Sequence, residues 1–228
     1  MDFIRESFQT SLSLILSLDL EVFAAVRTSV SVAAWSILFA SLVGIPLGLA
    51  IAIGEFPLKR WVITMLNTLM AMPTVVVGLV VYGLISRQGP LGGFGLLFTP
   101  GAMVIGQTLL AIPIVANYTL SSVKGADSRI LPTALTLGAG PLLSMLQLVR
   151  EVRFGIMAAV IAGFGRVIAE VGVAMMLGGN IRGYTRTMTT AIALETSKGE
   201  FAFGLALGII LMAVALIVNL ILNFMQQR

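Results

Sequence analysis

The sequence predicts an all-α integral membrane protein of about five transmembrane helices, or six if the N-terminal segment also crosses. Three observations carry that expectation. The 228 residues are 58% hydrophobic and only 11% charged, well beyond the roughly half-apolar make-up of a soluble domain. Four stretches, 28–54, 61–86, 88–123 and 201–227, contain no charged residue, and a fifth, 154–181, is interrupted only by Arg166 and Glu170. Each reaches the ~20 residues that carry a helix across about 30 Å of hydrocarbon. No stretch shows the alternation of a membrane barrel, and only helices or closed barrels satisfy the backbone in lipid.

Taken in order, the first 27 residues place Asp2, Arg5 and Glu6 ahead of a short apolar patch with no small-residue cleavage site behind it. They read as an N-terminal interfacial segment rather than a cleaved signal peptide. Residues 28–225 then form a single transmembrane domain. In the first span Gly44 and Gly48, and in the last Gly204 and Gly208, are small-xxx-small pairs that let helix backbones approach closely. Pro46, Pro73 and Pro113 lie inside spans, where each removes a ladder hydrogen bond and predicts a kink. "RQGPLGGFG", 87–95, is a turn-rich connector.

The longest polar connector, 124–153, keeps its charges at its two ends. Between them Leu131 and Leu135, then Leu142, Leu143 and Leu146, recur at helical spacing. Gly138 and Gly140 supply stops, and Pro141 suits the first turn of a second helix. Two short amphipathic helices joined by a sharp bend follow. Such an apolar elbow either fits a partner's groove or lies on lipid headgroups.

If that loop shares a side with 54–60 and the C-terminus, the side holds Lys59, Arg60, Lys124, Arg129, Arg150, Arg153 and Arg228 against Glu55, Asp127 and Glu151. The opposite side is balanced. Lysine and arginine mark the cytoplasmic face, so the N-terminus is expected outside and the C-terminus in the cytoplasm. The net charge of +4 comes from residues beside spans, not from a basic stripe, so a nucleic-acid partner is not indicated. The chain has no cysteine and no histidine, which removes thiolate chemistry, disulfides, zinc sites and imidazole catalysis. No G-x-x-x-x-G-K-[ST] run is present to cradle a nucleotide, so the chain itself is not expected to be an enzyme.

Two charges inside a span demand compensation, since each costs on the order of 2.5–3.5 kcal/mol on insertion scales. Arg166 and Glu170 lie four apart, on one face of a continuous helix. Three readings stand: a pair that holds the bundle in register, a path-lining face on which Arg166 attracts an anion and Glu170 gates it, or a contact across a homodimer axis. Farther on, "GGNIRGYTRTMTT", 178–190, sets Arg182 and Arg186 one helical turn apart with Asn180, Thr185 and Thr187 nearby. These could receive a tetrahedral anion or a binding protein, or the arginines could anchor at the interface.

The run "LPTALTLGAGPLLSMLQLVREVRFGIMAAVIAGFGRVIAEVG" resembles the coupling loop and following pore helix of permease subunits of binding-protein-dependent ABC importers. In that family the loop opens with Glu-Ala-Ala; here Pro132, Thr133 and Ala134 stand there, Gly138 takes the glycine, and "RE" at 150–151 replaces the closing Leu-Pro. "AEVG", "GGNI" and "YTRT" within 169–187 resemble the molybdate and tungstate branch, and most of all its tungstate type.

The resemblance implies a type I importer permease in a bacterial or archaeal cytoplasmic membrane. It implies a homodimer, two ATP-binding subunits docked at Pro132, Thr133, Ala134, Leu135, Gly138, Ala139, Gly140 and Pro141, and an external oxyanion-binding protein. ATP and magnesium would belong to the partner, with no cofactor in this chain. Arg166, Glu170 and Gly172 become translocation-path candidates. The cargo would be a tetrahedral oxyanion, with tungstate ahead of molybdate, sulfate or phosphate. A gradient-driven anion transporter with Glu170 carrying protons, and a membrane scaffold, are the rival classes.

Overall fold

The computed structural model describes residues 19–226 and, ahead of them, residues 9, 12, 13, 16 and 17. The expected charges Asp2, Arg5 and Glu6, and Arg228 at the other end, lie outside the described residues. Every regular element among the described residues is helical.

Helix α1 (Leu20–Ile53) begins where the Asp19 carboxylate accepts from the backbone N–H groups of Glu21 and Val22 at 2.9 and 3.1 Å. The boundary expected after residue 27 therefore falls inside a helix, because a local cap, not the last charge, decides where a helix starts. Its 34 residues make about 51 Å, more than hydrocarbon thickness alone requires. Pro46 lies within it without ending it.

The second expected span is broken. Helices α2 (Lys59–Met70) and α3 (Thr74–Ile85) meet at 97°. Pro73 is the residue just before α3, where it cannot donate to the preceding turn. A single 3-10 turn (Gly92–Phe94) follows. Helix α4 (Pro100–Gly125) opens at a Thr99 cap, so 88–99 is connector and only the remainder of the uncharged stretch is helix. Pro113 is accommodated inside α4.

The elbow consists of α5 (Ile130–Thr136) and α6 (Pro141–Glu151). The span expected over 154–181 is also broken: α7 (Arg153–Ile168) and α8 (Gly172–Gly178) meet at 60°. Helix α9 (Met188–Lys198) and α10 (Phe201–Gln226) form a closing hairpin. Among the described residues three helices, α1, α4 and α10, are long and apolar enough to cross a membrane alone, and up to five crossings result if each bent pair is one.

Close backbone approach holds the bundle together. A methyl carbon at Gly48 would lie 2.5 Å from the Ala116 carbonyl oxygen and cannot fit, and one at Gly44 would press on the Val115 side chain at 3.0 Å. So α1 lies directly on α4. Gly163 brings α7 against the same pair, meeting Ile37 and Val115. The largest core cluster accordingly joins α1, α4, α7, α9 and α10 through residues such as Ala40, Ala111, Val115, Ala159, Met188 and Leu207. A second cluster seats α8 between α3 and α4 through Val81, Leu110, Val173 and Leu177. Outward faces stay apolar: Met212, Leu216, Leu220 and Phe224 are exposed along α10, and Trp35 stacks on Phe39 on α1. Hydrocarbon covers such a surface where water would not.

Candidate functional site

Three constellations stand out, one on each face and one in the middle. The elbow forms as its residues dictate. Helix α5 ends in a paired closing motif, in which Ala139 N–H donates to the Ala134 carbonyl and Gly138 N–H to that of Leu135, both at 3.0 Å. This geometry places Gly138 at φ +85°, a left-handed value that favours glycine. Gly140 is extended and Pro141 occupies the first turn of α6. Leu135, Leu137, Leu142 and Leu143 are all more than half exposed, Leu142 at 86%. Leu137 and Leu143 line a cleft of about 770 Å³ together with Thr133, Ala134, Gly138 and Ala139.

At the rim of that cleft Arg129 clasps Asp127 at 2.7 Å. The guanidinium, then the Arg129 backbone N–H, hold the Asp127 carboxyl below its ordinary value of 3.8, while the carboxylate raises Arg129. With a depressed carboxyl the clasp is in place above that ordinary value and is lost only as pH falls below it.

The central constellation lies where the two broken spans meet. Arg166 is on the last turn of α7, but Glu170 is past its end, in the gap before α8. The expectation of one continuous helical face is thus corrected: the bend turns the carboxylate back toward the guanidinium. Arg166 Nη1 donates to Glu170 Oε2 at 2.6 Å, and the pair closes within one chain. Glu170 Oε1 accepts from the Val173 N–H at 3.1 Å, and the Glu170 carbonyl accepts from Thr189 Oγ1 at 2.8 Å. The carboxylate therefore caps α8 as well as pairing, which is how a group only 3% exposed keeps its charge compensated. Arg166, by contrast, keeps 39% of its side chain exposed. A methyl on Gly172 would lie 2.7 Å from Thr74 Oγ1 and 3.3 Å from Glu170 Oε1, so the first turn of α3 abuts this gap.

The third constellation is at the opposite end from the elbow. Residues 179–187 form a loop, not the helix that would set Arg182 and Arg186 one turn apart. The Ile181 carbonyl accepts from the N–H groups of Tyr184, Thr185 and Arg186, and Gly179, Asn180 and Gly183 all have positive φ. Arg182 and Arg186 both grip Glu21 from the first turn of α1, Arg186 at 2.6 Å, and Arg186 also reaches Glu195 at 3.5 Å. The threonines proposed as anion donors are used internally. Thr185 Oγ1 donates to the Gly178 carbonyl, Thr187 caps α9, and Asn180 Oδ1 accepts from Thr190 at 2.9 Å. Thr185 and Thr187 are buried, so they offer an arriving anion nothing in this structure.

Sequence reasoning missed Glu21, whose partners lie more than 150 residues away, and Thr74, whose contact depends on a tertiary bend. It also missed Asn67 and Asn117, which hydrogen-bond to each other between α2 and α4. Looking for neutral polar residues within uncharged spans would have found those two.

Two broken crossings beside three unbroken ones, with an apolar elbow projecting from one face, define the permease subunit of a type I ABC importer. Among solved structures, the methionine transporter MetNI in inward-facing conformations superposes with a TM-score of 0.75 at 15% identity, over 92% of this chain and 97% of that one. A bacterial alginate ABC importer gives 0.74 at 20% identity, over 97% and 83%. No family model matches the chain.

Curated relatives share more sequence. The tungstate uptake system permease protein TupB of Peptoclostridium acidaminophilum is 39% identical over 228 residues, the whole of both chains. That of Campylobacter jejuni is 41% identical over all of this chain and 95% of its own. The molybdenum transport permease ModB of Azotobacter vinelandii is 28% identical over 78% of this chain and 83% of its own. The chain belongs to the tungstate uptake permease family of ABC importers. It is a multi-pass membrane protein and a transport component, and ATP is hydrolysed by a separate subunit of such systems.

Proposed function

We propose that this chain is the membrane-spanning subunit through which tungstate enters the cell, with two copies enclosing the path. The observation that carries the reading is the end-to-end identity of about two residues in five with tungstate permeases, against 28% with a molybdenum permease. The elbow side faces the cytoplasm, in keeping with the lysines and arginines of 54–60 and 124–153. Two ATPase subunits dock at the 132–141 elbows, whose exposed leucines suit a groove. A binding protein delivers the anion at the face carrying Arg182 and Arg186.

In the middle, Arg166 offers the dianion a cation that Glu170 otherwise holds. Switching the elbows apart or together rotates α7, which follows α6 after a single residue, and so alters the gap at Gly172. Glu170, already committed to Arg166 and to the α8 backbone, supports positioning rather than proton carriage.

The test is ATP-driven uptake of tungstate by vesicles holding the subunit, its ATPase and its binding protein, with molybdate and sulfate as competitors. Uptake that needs all three components and is displaced by molybdate only in excess is expected. Uptake by the chain alone on an ion gradient would overturn the reading. Gly138→Arg should abolish both transport and stimulated ATP hydrolysis while the subunit still inserts; normal coupling in that variant would remove the docking role.

A further inference from the structure

A pathway with an arginine at its middle needs a way to let a dianion go. On the elbow side of the gap, two carboxamides lie at one depth. Asn117 is seven positions before Lys124 in α4, about 10 Å along the helix from its elbow end, and Asn67 of α2 is hydrogen-bonded to it. Asn117 Nδ2 donates to Asn67 Oδ1, and Ser121 Oγ donates to Asn117 Oδ1 at 3.4 Å. Each amide oxygen thereby accepts one hydrogen bond. Asn67 Nδ2 makes no hydrogen bond to any described residue, and Asn67 is exposed, so its N–H groups are open to a ligand.

The side chains beside them fix this arrangement. Leu66 and Ala116, each one residue earlier, are buried together with Ile51 and Leu120, which locks α2 to α4. Asn67 itself stays exposed and Asn117 half-buried. The neighbouring hydroxyls do not compete for a ligand: Thr64 and Thr68 donate to carbonyls one turn back in their own helix, at 3.0 and 2.9 Å. Free amide donors are unfavourable against hydrocarbon. They suit a wet lane.

We propose that Asn67, backed by Asn117, is an uncharged hydrogen-bonding station for the oxyanion between Arg166 and the cytoplasm. The inference rests on the proposed pathway and its orientation. The chemistry fits a release step: neutral N–H groups hold an anion more weakly than a guanidinium, so the cargo can leave.

The absence of cysteine from the chain makes the test direct. Asn67→Cys, Asn117→Cys and, as a lipid-facing control, Leu216→Cys are placed in the complete transporter in inside-out vesicles. They are then treated with a charged, membrane-impermeant thiol reagent. The first two should react at least about tenfold faster than the control, because thiolate forms in water and not in hydrocarbon. Asn67→Asp preserves size and the bond from Asn117 but adds a negative charge, and should lower tungstate uptake at least about tenfold with ATPase assembly intact. Asn67→Gln, which keeps the carboxamide without the charge, should retain most of it.

Cysteines that the charged reagent cannot reach would overturn the proposal. So would an Asn67→Asp transporter that works normally, since a merely structural asparagine pair tolerates that change. Lack of tungstate uptake by the unaltered complex would instead bring down the cargo reading, while labelling still decides whether the lane is wet.

Discussion

Arg166 and Glu170 are unequal partners, and the inequality is measurable. Deleting Arg166 strands a carboxylate that is 3% exposed, whereas deleting Glu170 leaves a guanidinium that already reaches open space. Breaking a buried pair costs roughly 3–5 kcal/mol, and partial exposure of Arg166 reduces this to about 1–3 kcal/mol. Arg166→Ala should therefore destabilise the detergent-solubilised subunit more than Glu170→Gln, and Arg166→Met with Glu170→Gln should recover part of the loss. Thermal unfolding of the three variants checks this, and equal losses would contradict the asymmetry. The same reasoning separates the two outer arginines. Arg186, with its side chain 11% exposed between Glu21 and Glu195, should cost about 2–3 kcal/mol on change to alanine. Arg182, 72% exposed, should cost about 0–1 kcal/mol.

At the scale of single elements, glycines separate backbone requirements from packing requirements. Gly138 and Gly140 both have open space around an added methyl, but only Gly138 has a left-handed backbone. Gly138→Ala should cost about 1–2 kcal/mol locally and weaken ATPase coupling, while Gly140→Ala should be nearly silent. Coupled ATP hydrolysis in the two variants tests the contrast. Gly48 is the opposite case: its helix is ordinary, but a methyl would sit 2.5 Å from the Ala116 carbonyl oxygen. Gly48→Leu should push α1 off α4 and lower the yield of folded subunit, as overpacking by about 1–3 kcal/mol would. The close approach at Gly44 and Gly48 was legible from their spacing. The equivalent reading of Gly204 and Gly208 was only half informative, because Gly204 faces Thr196 and Gly208 faces nothing among the described residues.

At the scale of the whole molecule, Arg166 and Asn67 both keep exposed surface on one chain, which fits a path completed by a second copy. Transport should therefore require assembly, and a single-chain preparation held monomeric should neither move tungstate nor respond to ATP. Composition and charge spacing by themselves determined the membrane class and the elbow, because burial in hydrocarbon and helix capping are set by local runs of residues. Where a crossing breaks is a different matter. Proline occupies three spans, yet only Pro73 stands at a break, because neighbouring helices can absorb the lost hydrogen bond at Pro46 and Pro113. The break at 169–171 has no proline at all; it exists because Glu170 finds Arg166, Val173 and Thr189 together. Likewise Glu21 could not be matched to Arg186, nor Asn67 to Asn117, from spacing alone. Contacts between residues distant in sequence are chosen by how helices pack, and that choice was made only in the tertiary structure.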